Sequence, residues 1–375
     1  MAKNKEEKEK EQNKEKESPF TPTGTGIRTN GQIVRGTELP KPTRKKHKSL
    51  GLSEEDLLDM FEEMFLQRRF EERAYQMYQK GKFGGFLHLY MGQEAVSTGT
   101  AYALNDDDDI ITAYRDHGWG LVRGVSAKEG MAELYGKVTG CSKGKGGSMH
   151  FANTDQHLWG GFAIVGAHIP VGAGIAFANK YQQNDRLCVC FIGDGAVHQG
   201  ALHETLNMAK LWNLPFILAV ENNGYAMGTA VHRHTVGEIH ERSKAYDIKS
   251  DVINGMDVFS VYDQMKQAAD EVRETMEPQF IEIRTYRYRG HSMSDPSKYR
   301  TKDEIEEYQE QDPIERIKKY LLDNDVADEE KIEQIKEKVE QEMDEALEFA
   351  EESSFPDKDE LYTDVYVEDD YPFHK

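Results

Sequence analysis

Two periods of apolar and polar positions run along this chain, and the change between them divides it. The apolar residues Leu57, Met60, Phe61, Met64 and Phe65 recur at helical spacing. Ser53 precedes them as an N-cap, with Glu54, Glu55 and Asp56 in the first turn, where acids oppose the positive end of a helix dipole. The pattern predicts a helix running to about Lys80. From about 85 to 290, strand-like runs alternate with helical runs and glycine turns. The predicted strands are 110–113, 187–192, 216–220, 258–261 and 280–284. Such alternation predicts an α/β fold with a mostly parallel sheet and helices on both faces. Over about 303–352 the chain is charged and helical, with apolar positions such as Ile314, Ile317, Tyr320 and Leu321, which predicts a helical C-terminal extension. Residues 1–50 lack either period. They are low in complexity, then rich in Pro, Thr and Gly, and are expected to form a disordered tail before a single domain over 51–375.

Composition adds a bound and a sign. With 375 residues, 38% of them hydrophobic, the chain can bury a large core. Its formal net charge of −21 is uneven: residues 1–18 are neutral, 19–50 carry +6, and 51–375 carry −27. So acidic a body repels nucleic acid and anionic membrane, and neither is an expected partner. The basic stretch 41–48 could bind an acidic surface, but a solvated linker is the simpler reading. The longest apolar run, 162–178, holds His168, Pro170 and small residues suited to close packing, so no membrane span is expected. The N-terminus lacks a signal peptide's apolar region and is too rich in glutamate for a mitochondrial presequence; the expected place is a bacterial cytoplasm. Cys188 and Cys190, two apart in an apolar run, read as small buried side chains on one face of a strand.

The candidate chemistry lies in 187–231. A strand over 187–192 ends in Gly193-Asp194-Gly195-Ala196. A helical stretch follows from His198 to about Trp212. A second strand, 216–220, ends in Glu221-Asn222-Asn223-Gly224-Tyr225. This is one βαβ unit, with a right-handed crossover and parallel strands. Asp194 and Asn223 then each lie just past a strand's carboxyl end, where open α/β sheets bind ligands. One carboxylate and one amide carbonyl make a poor cage for a cation. They make a good half-shell for Mg²⁺, which takes about six oxygens and shares them with phosphates. Gly193 and Gly195 allow close backbone approach, and the helix starting near His198 aims free N–H groups at the same spot. The unit reads as a metal-bridged diphosphate site. Either turn alone is common; the pair at this spacing is far more specific. Other phosphate motifs fail. The Gly140–Lys145 segment is one residue short of a P-loop, and Phe177 stands where a dinucleotide fingerprint needs glycine.

These residues also carry a resemblance. Gly193-Asp194-Gly195 closing at Asn222-Asn223 resembles the thiamine-diphosphate motif. His88-Leu-Tyr-Met-Gly-Gln-Glu94, Thr112-Ala-Tyr-Arg-Asp-His117, Lys143-Gly-Lys-Gly-Gly-Ser-Met-His150 and Tyr286-Arg-Tyr-Arg-Gly-His291-Ser-Met-Ser-Asp-Pro296 are similar to segments of the α subunits of 2-oxo acid dehydrogenase E1 components, the pyruvate dehydrogenase branch above all. The likeness covers about 55–375. It implies the thiamine-diphosphate-binding fold, with thiamine diphosphate and Mg²⁺ as cofactors. Asp194, Asn223 and the carbonyl of Tyr225 match the metal ligands, and Tyr114 and Arg115 the diphosphate anchors. Gly195 and Ala196 match backbone donors to the diphosphate, and Ala163 and Val165 backbone contacts to the pyrimidine. His88 matches a substrate-side histidine, with Phe86 beside it in the substrate pocket. His291 matches a loop histidine near the diphosphate and the acyl-transfer channel.

The implied reaction decarboxylates pyruvate and passes the acetyl group to the lipoyl group of an E2 core enzyme. The implied assembly is an α2β2 heterotetramer in which the β subunit supplies the ring-facing glutamate. Glu94 and Glu204 are the candidate local acids. His291 and His117 are the candidate catalytic histidines, although His117, His150 and His168 also read as satisfied core or turn residues. His232 and His234 read as exposed loop. Ser292 and Ser294 read as ordinary loop serines, though in mitochondrial relatives this loop is regulated by phosphorylation. Two alternatives stand beside the main reading: an α subunit for acetoin or branched-chain 2-oxo acids, and a non-catalytic scaffold of the same fold.

Overall fold

The computed structural model describes residues 25–29, 32–34 and 36–367. Six strands form one parallel sheet: β1 (Asp109–Ala113), β2 (Leu158–Phe162), β3 (Cys188–Gly193), β4 (Phe216–Asn222), β5 (Lys249–Asn254) and β6 (Gln279–Arg284). Their spatial order is β2-β1-β3-β4-β6-β5, and every neighbouring pair is parallel. The side-chain period of two sends alternate residues to opposite faces. Val189, Phe191, Ile217, Ala219, Ile281 and Ile283 pack with helices α1 (Glu54–Gln79), α2 (Glu94–Ala103) and others on one side. Cys188, Cys190, Ile192, Leu218 and Val220 pack with Ile169, Ala173, Leu202 and Leu206 on the other. The two cysteines are thus buried, unbridged and on one face, as the sequence reading had them. The α/β class is borne out, with helices around a parallel sheet and a helical C-terminal part over Lys302–Gln309, Pro313–Asp323 and Glu329–Glu352.

Helix α1 begins where Ser53 predicts. Its hydroxyl accepts the Asp56 N–H at 3.1 Å, and the Asp56 carboxylate accepts the Ser53 N–H at 2.7 Å, a complete capping box.

Three expectations need correction. The predicted strand 258–261 is the first turn of a helix, Val258–Thr275. Asp257 caps it, accepting the Ser260 N–H at 2.9 Å, and Val258, Val261, Tyr262, Met265 and Ala269 bury at helical spacing. Four residues, three of them apolar, were too short a window to separate the two periods. Strands β2 and β5 were not predicted. Both are sheet edges, where one side of the strand has no neighbour; β2 carries Gly160 and Gly161, and β5 begins with polar, half-exposed residues.

The third correction concerns the tail. Residues 1–24 lie outside the described residues, but from Thr25 onward the segment is packed. Arg28–Thr29 pairs antiparallel with Gln32–Ile33, and Ile27, Val34 and Leu39 are buried. The carbonyls of Gly36, Glu38 and Pro40 accept hydrogen bonds from Asn222 (2.9 Å), Arg284 (3.0 Å) and Asn254 (2.6 Å). Those are the last residues of β4, β6 and β5, side by side in register. The segment therefore crosses the carboxyl ends of three strands. The basic stretch is not a free linker either: Lys45 meets Asp263 at 2.8 Å and Lys46 meets Asn324 at 3.4 Å. No helix among the described residues is long and apolar enough to cross a membrane.

Candidate functional site

Strands β3 and β4 pair so that Gly193 stands opposite Glu221. Asp194 and Asn223 therefore leave the sheet at adjacent strand ends. Both line one cavity of about 260 Å³ at the carboxyl edge, together with Tyr114, Arg115, Gly195, Ala196, Tyr225 and His291. A second cavity of about 710 Å³ adjoins it, lined by Phe86, His88, Met149, Ala163, Ser292 and Asp295. Tyr114, Val165, Met227 and His291 belong to both walls. Every sequence-predicted site residue except His117 thus opens into one two-part cleft.

The inner cavity brings a carboxylate, a glycine turn and two guanidiniums to one place. Asp194 begins a five-residue 3-10 turn, Asp194–His198, and the α-helix starts only at Gly200. The free N–H groups nearest the strand end therefore belong to that tight turn and not to an α-helix starting at His198. Gly195 is required here, because a Cβ on it would come within 2.7 Å of the Ala226 Cβ. The Asn223 side chain donates to Gln93 Oε1 at 3.0 Å, which orients its amide.

Two guanidiniums face this cavity, and neither has a carboxylate partner within ion-pair distance among the described residues. Arg115 donates to the carbonyls of Leu89 (2.6 Å) and His291 (2.9 Å). Burial and the nearby Arg287 push it down to about 10. Arg287 donates to the carbonyl of Met227 and to the Tyr299 hydroxyl, both at 2.9 Å. Sequence reading missed Arg287; its signal was its place three residues past the end of β6, next to β4. Gln93 Nε2 and His291 Nδ1 are buried without a hydrogen-bond partner in the structure. Unpaired cations and orphaned polar atoms around one carboxylate suit an incoming magnesium-bound polyphosphate. No group of three or more His, Cys, Asp or Glu side chains among the described residues could hold a metal ion.

At the junction of the two cavities three rings cluster. His88 lies 4.7 Å from Tyr114 and 5.0 Å from His291, centroid to centroid. Burial, then the charge of Arg115, pushes His88 down to about 2; burial with Arg115 and Arg287 pushes His291 down to about 3. Both imidazoles are therefore neutral at physiological pH, and Nδ1 of each has no hydrogen-bond partner among the described residues.

His117 is placed elsewhere. It is fully buried and lines neither cavity. Its Nδ1 lies 3.0 Å from the Glu71 carboxylate and its Nε2 2.9 Å from Ser148 Oγ, which accepts the His88 N–H at 3.2 Å. Burial opposes its charge, but the Glu71 carboxylate outweighs burial and raises it. It reaches the cleft through other residues, by Ser148 to the backbone of His88 and by Glu71 to Tyr90. His150 bonds the Gly161 carbonyl, and His168 bonds the Phe191 carbonyl while lining the inner cavity. Neither candidate local acid reaches the cleft: Glu94 is paired to Arg68 at 2.5 Å, and Glu204 is exposed on its helix. The one other carboxylate on the inner wall, Glu221, is held by the Tyr90 hydroxyl at 2.5 Å, and burial raises it to about 7.

An open parallel sheet with a cleft at its carboxyl edge defines an α/β protein whose ligand site lies at the strand ends, and its sequence narrows the class. Residues 62–359 match the family described as dehydrogenase E1 component, and the chain belongs to that family. It is 48% identical to the pyruvate dehydrogenase E1 component subunit alpha of Rickettsia bellii over 314 residues, 84% of this chain and 96% of that protein. It is 48% identical to the protein of that name from Rhizobium meliloti over 345 residues, 91% and 99% of the two chains. The one from Porphyra purpurea is 42% identical over 320 residues. The resemblance read from the motifs is borne out.

Proposed function

We propose that this chain is the α subunit of a pyruvate dehydrogenase E1, working in the bacterial cytoplasm. With a β subunit it decarboxylates pyruvate on thiamine diphosphate and Mg²⁺ and passes the acetyl group to a lipoyl group of E2. The observation that carries the reading is the pair Asp194 and Asn223, which leave adjacent strand ends into one cavity walled by two unpaired guanidiniums.

In this reading Asp194, Asn223 and the Tyr225 carbonyl hold Mg²⁺. The N–H groups of Gly195 and Ala196 take the diphosphate oxygens. Arg115 and Arg287 neutralise what charge the metal leaves, and Tyr114 packs beside them. The backbone at Ala163 and Val165, on the wall toward the outer cavity, meets the pyrimidine. Bound there, thiamine diphosphate supplies a carbanion-stabilising ring that accepts the electron pair left by departing CO₂. His88 and Phe86 bound the space for the 2-oxo acid. The neutral imidazoles of His88 and His291, each with a free Nδ1, can hold or pass a proton at the substrate oxygen without first losing one. His117 keeps the His88 backbone in place and touches no substrate. Neither Asp194 nor the Tyr90-bound Glu221 is placed as a free acid for the ring, so that acid comes from the β subunit.

Calorimetric titration of Mg²⁺ and thiamine diphosphate onto the αβ assembly tests the site. Asp194→Ala is expected to abolish the heat; equal heats from wild type and variant would remove the assigned site. Offering pyruvate, acetoin and 2-oxoisovalerate in turn to the αβ pair separates the substrate branches, and pyruvate is expected to turn over fastest.

A further inference from the structure

The strand that ends at Asn222 leads into a loop whose histidines look like surface from sequence. His234 closes a single helical turn, Val231–His234, and its side chain is only 14% exposed. Its Nε2 lies 3.1 Å from Asp194 Oδ2. An ionised carboxylate can only accept, so Nε2 carries the proton and donates it. Nδ1 of the same ring is then the acceptor. Thr235 Oγ1 stands 2.9 Å from it and His198 Nε2 3.2 Å. His198 comes from the turn that follows Asp194, while His234 and Thr235 come from the loop after β4. Two loops that leave adjacent strands are thus tied together at one carboxylate. The contact uses Oδ2 and leaves Oδ1 without a hydrogen-bond partner among the described residues, in a side chain that lines the inner cavity.

We propose that His234 is a positioning residue for Mg²⁺ binding: it holds Asp194 by Oδ2 so that Oδ1 is presented to the cation, with His198 and Thr235 fixing its tautomer. The inference rests on the reading of Asp194 as a metal ligand. It follows from the small number of protein ligands in that reading. Two side chains and one carbonyl leave the cation dependent on the aim of each, and a freely rotating carboxylate would lose that aim. Groups that orient a ligating carboxylate typically change metal affinity 10- to 100-fold when removed. His234 lies 40 residues from Asp194 and is itself in neither cavity wall, so its hydrogen bond can be removed without opening the cleft.

The test is calorimetric titration of Mg²⁺, with thiamine diphosphate present, onto the full-length chain assembled with its β subunit. His234→Ala should raise the Mg²⁺ Kd about 10- to 100-fold, while the thermal midpoint of the metal-free, cofactor-free protein stays where it is. His234→Gln, which can put an amide N–H near the place of Nε2, should bring most of the affinity back. A wild-type Kd in His234→Ala would overturn the proposal. So would a lowered midpoint that Gln does not restore, since that marks a structural role. Asp194→Ala separates the two layers. If it binds nothing while His234→Ala binds as wild type, only the role of His234 falls; if it binds as wild type, the site beneath it falls as well.

Discussion

His88 and His291 show what burial beside two guanidiniums does to an imidazole. An imidazole ordinarily titrates at 6.5, and these two are held down to about 2 and about 3. In the unfolded chain each takes a proton as pH falls below 6.5; in the folded chain neither does until far lower. The unfolded state therefore binds more protons across this window, and stability falls as pH falls from 6.5 toward about 3. His88→Gln removes one such titration. Denaturant unfolding at a series of pH values should show a shallower acid-side slope for the variant, by up to about one proton. An unchanged slope would mean that His88 is charged in the folded protein. The same charge logic explains the choice of residues. Imidazoles beside Arg115 and Arg287 stay neutral, whereas His117, whose partner is the Glu71 carboxylate, is shifted the opposite way and lines neither cavity.

Helix α1 links local sequence to the site over the length of an element. Its first turn is fixed by the Ser53–Asp56 capping box, and its middle carries Arg68 and Glu71. Arg68 pairs with Glu94 and with Asp312 at 2.9 Å; Glu71 accepts the Tyr90 N–H at 2.6 Å and holds His117. One helix thus pins the stretch that follows His88 at Tyr90 and Glu94. Removing the cap with Ser53→Ala should cost about 1 kcal/mol of stability. Because the frayed turn lies several turns from Arg68, cofactor affinity should not change. Chemical denaturation beside a cofactor titration checks both, and a loss of affinity would show that the helix end and the cleft are coupled. The elements that sequence missed share one physical cause. Strands β2 and β5 lie at the sheet edges and bury less than a central strand, so their apolar signal is diluted by glycine and polar residues.

At the scale of the whole molecule, the N-terminal segment from Thr25 is part of the body. It seals the carboxyl ends of β4, β6 and β5 on the side of the sheet away from β1 and β2. Leu39 is fully buried there, among residues of the cluster that also joins α1 and the last helix. Leu39→Ala should destabilise the protein by roughly 2–5 kcal/mol, the range for a buried leucine. A solvated tail predicts no change, so a single thermal melt distinguishes the two. The acidic body and the basic stretch meet in the same region, where Lys45 and Lys46 lie against Asp263 and Asn324 of the chain itself.

The sequence alone determined what short stretches encode: the strands around Gly193-Asp194-Gly195 and Asn222-Asn223, the helix periods, the cap at Ser53, and hence the two strand ends that carry Asp194 and Asn223. These follow from which residues a local segment must bury and which turns it can make. Tertiary structure decided the partners. Arg287 reaches the cleft from β6, Gly36 and Pro40 cap strand ends near 200 residues away, and His234 meets Asp194 across two loops. No local period records such pairs, because a polar side chain's partner depends on which distant segments the fold brings within about 3 Å. The Asp194 carboxylate belongs to both accounts. Its position is written in the strand that precedes it, and the hydrogen bond that aims it exists only in the folded chain.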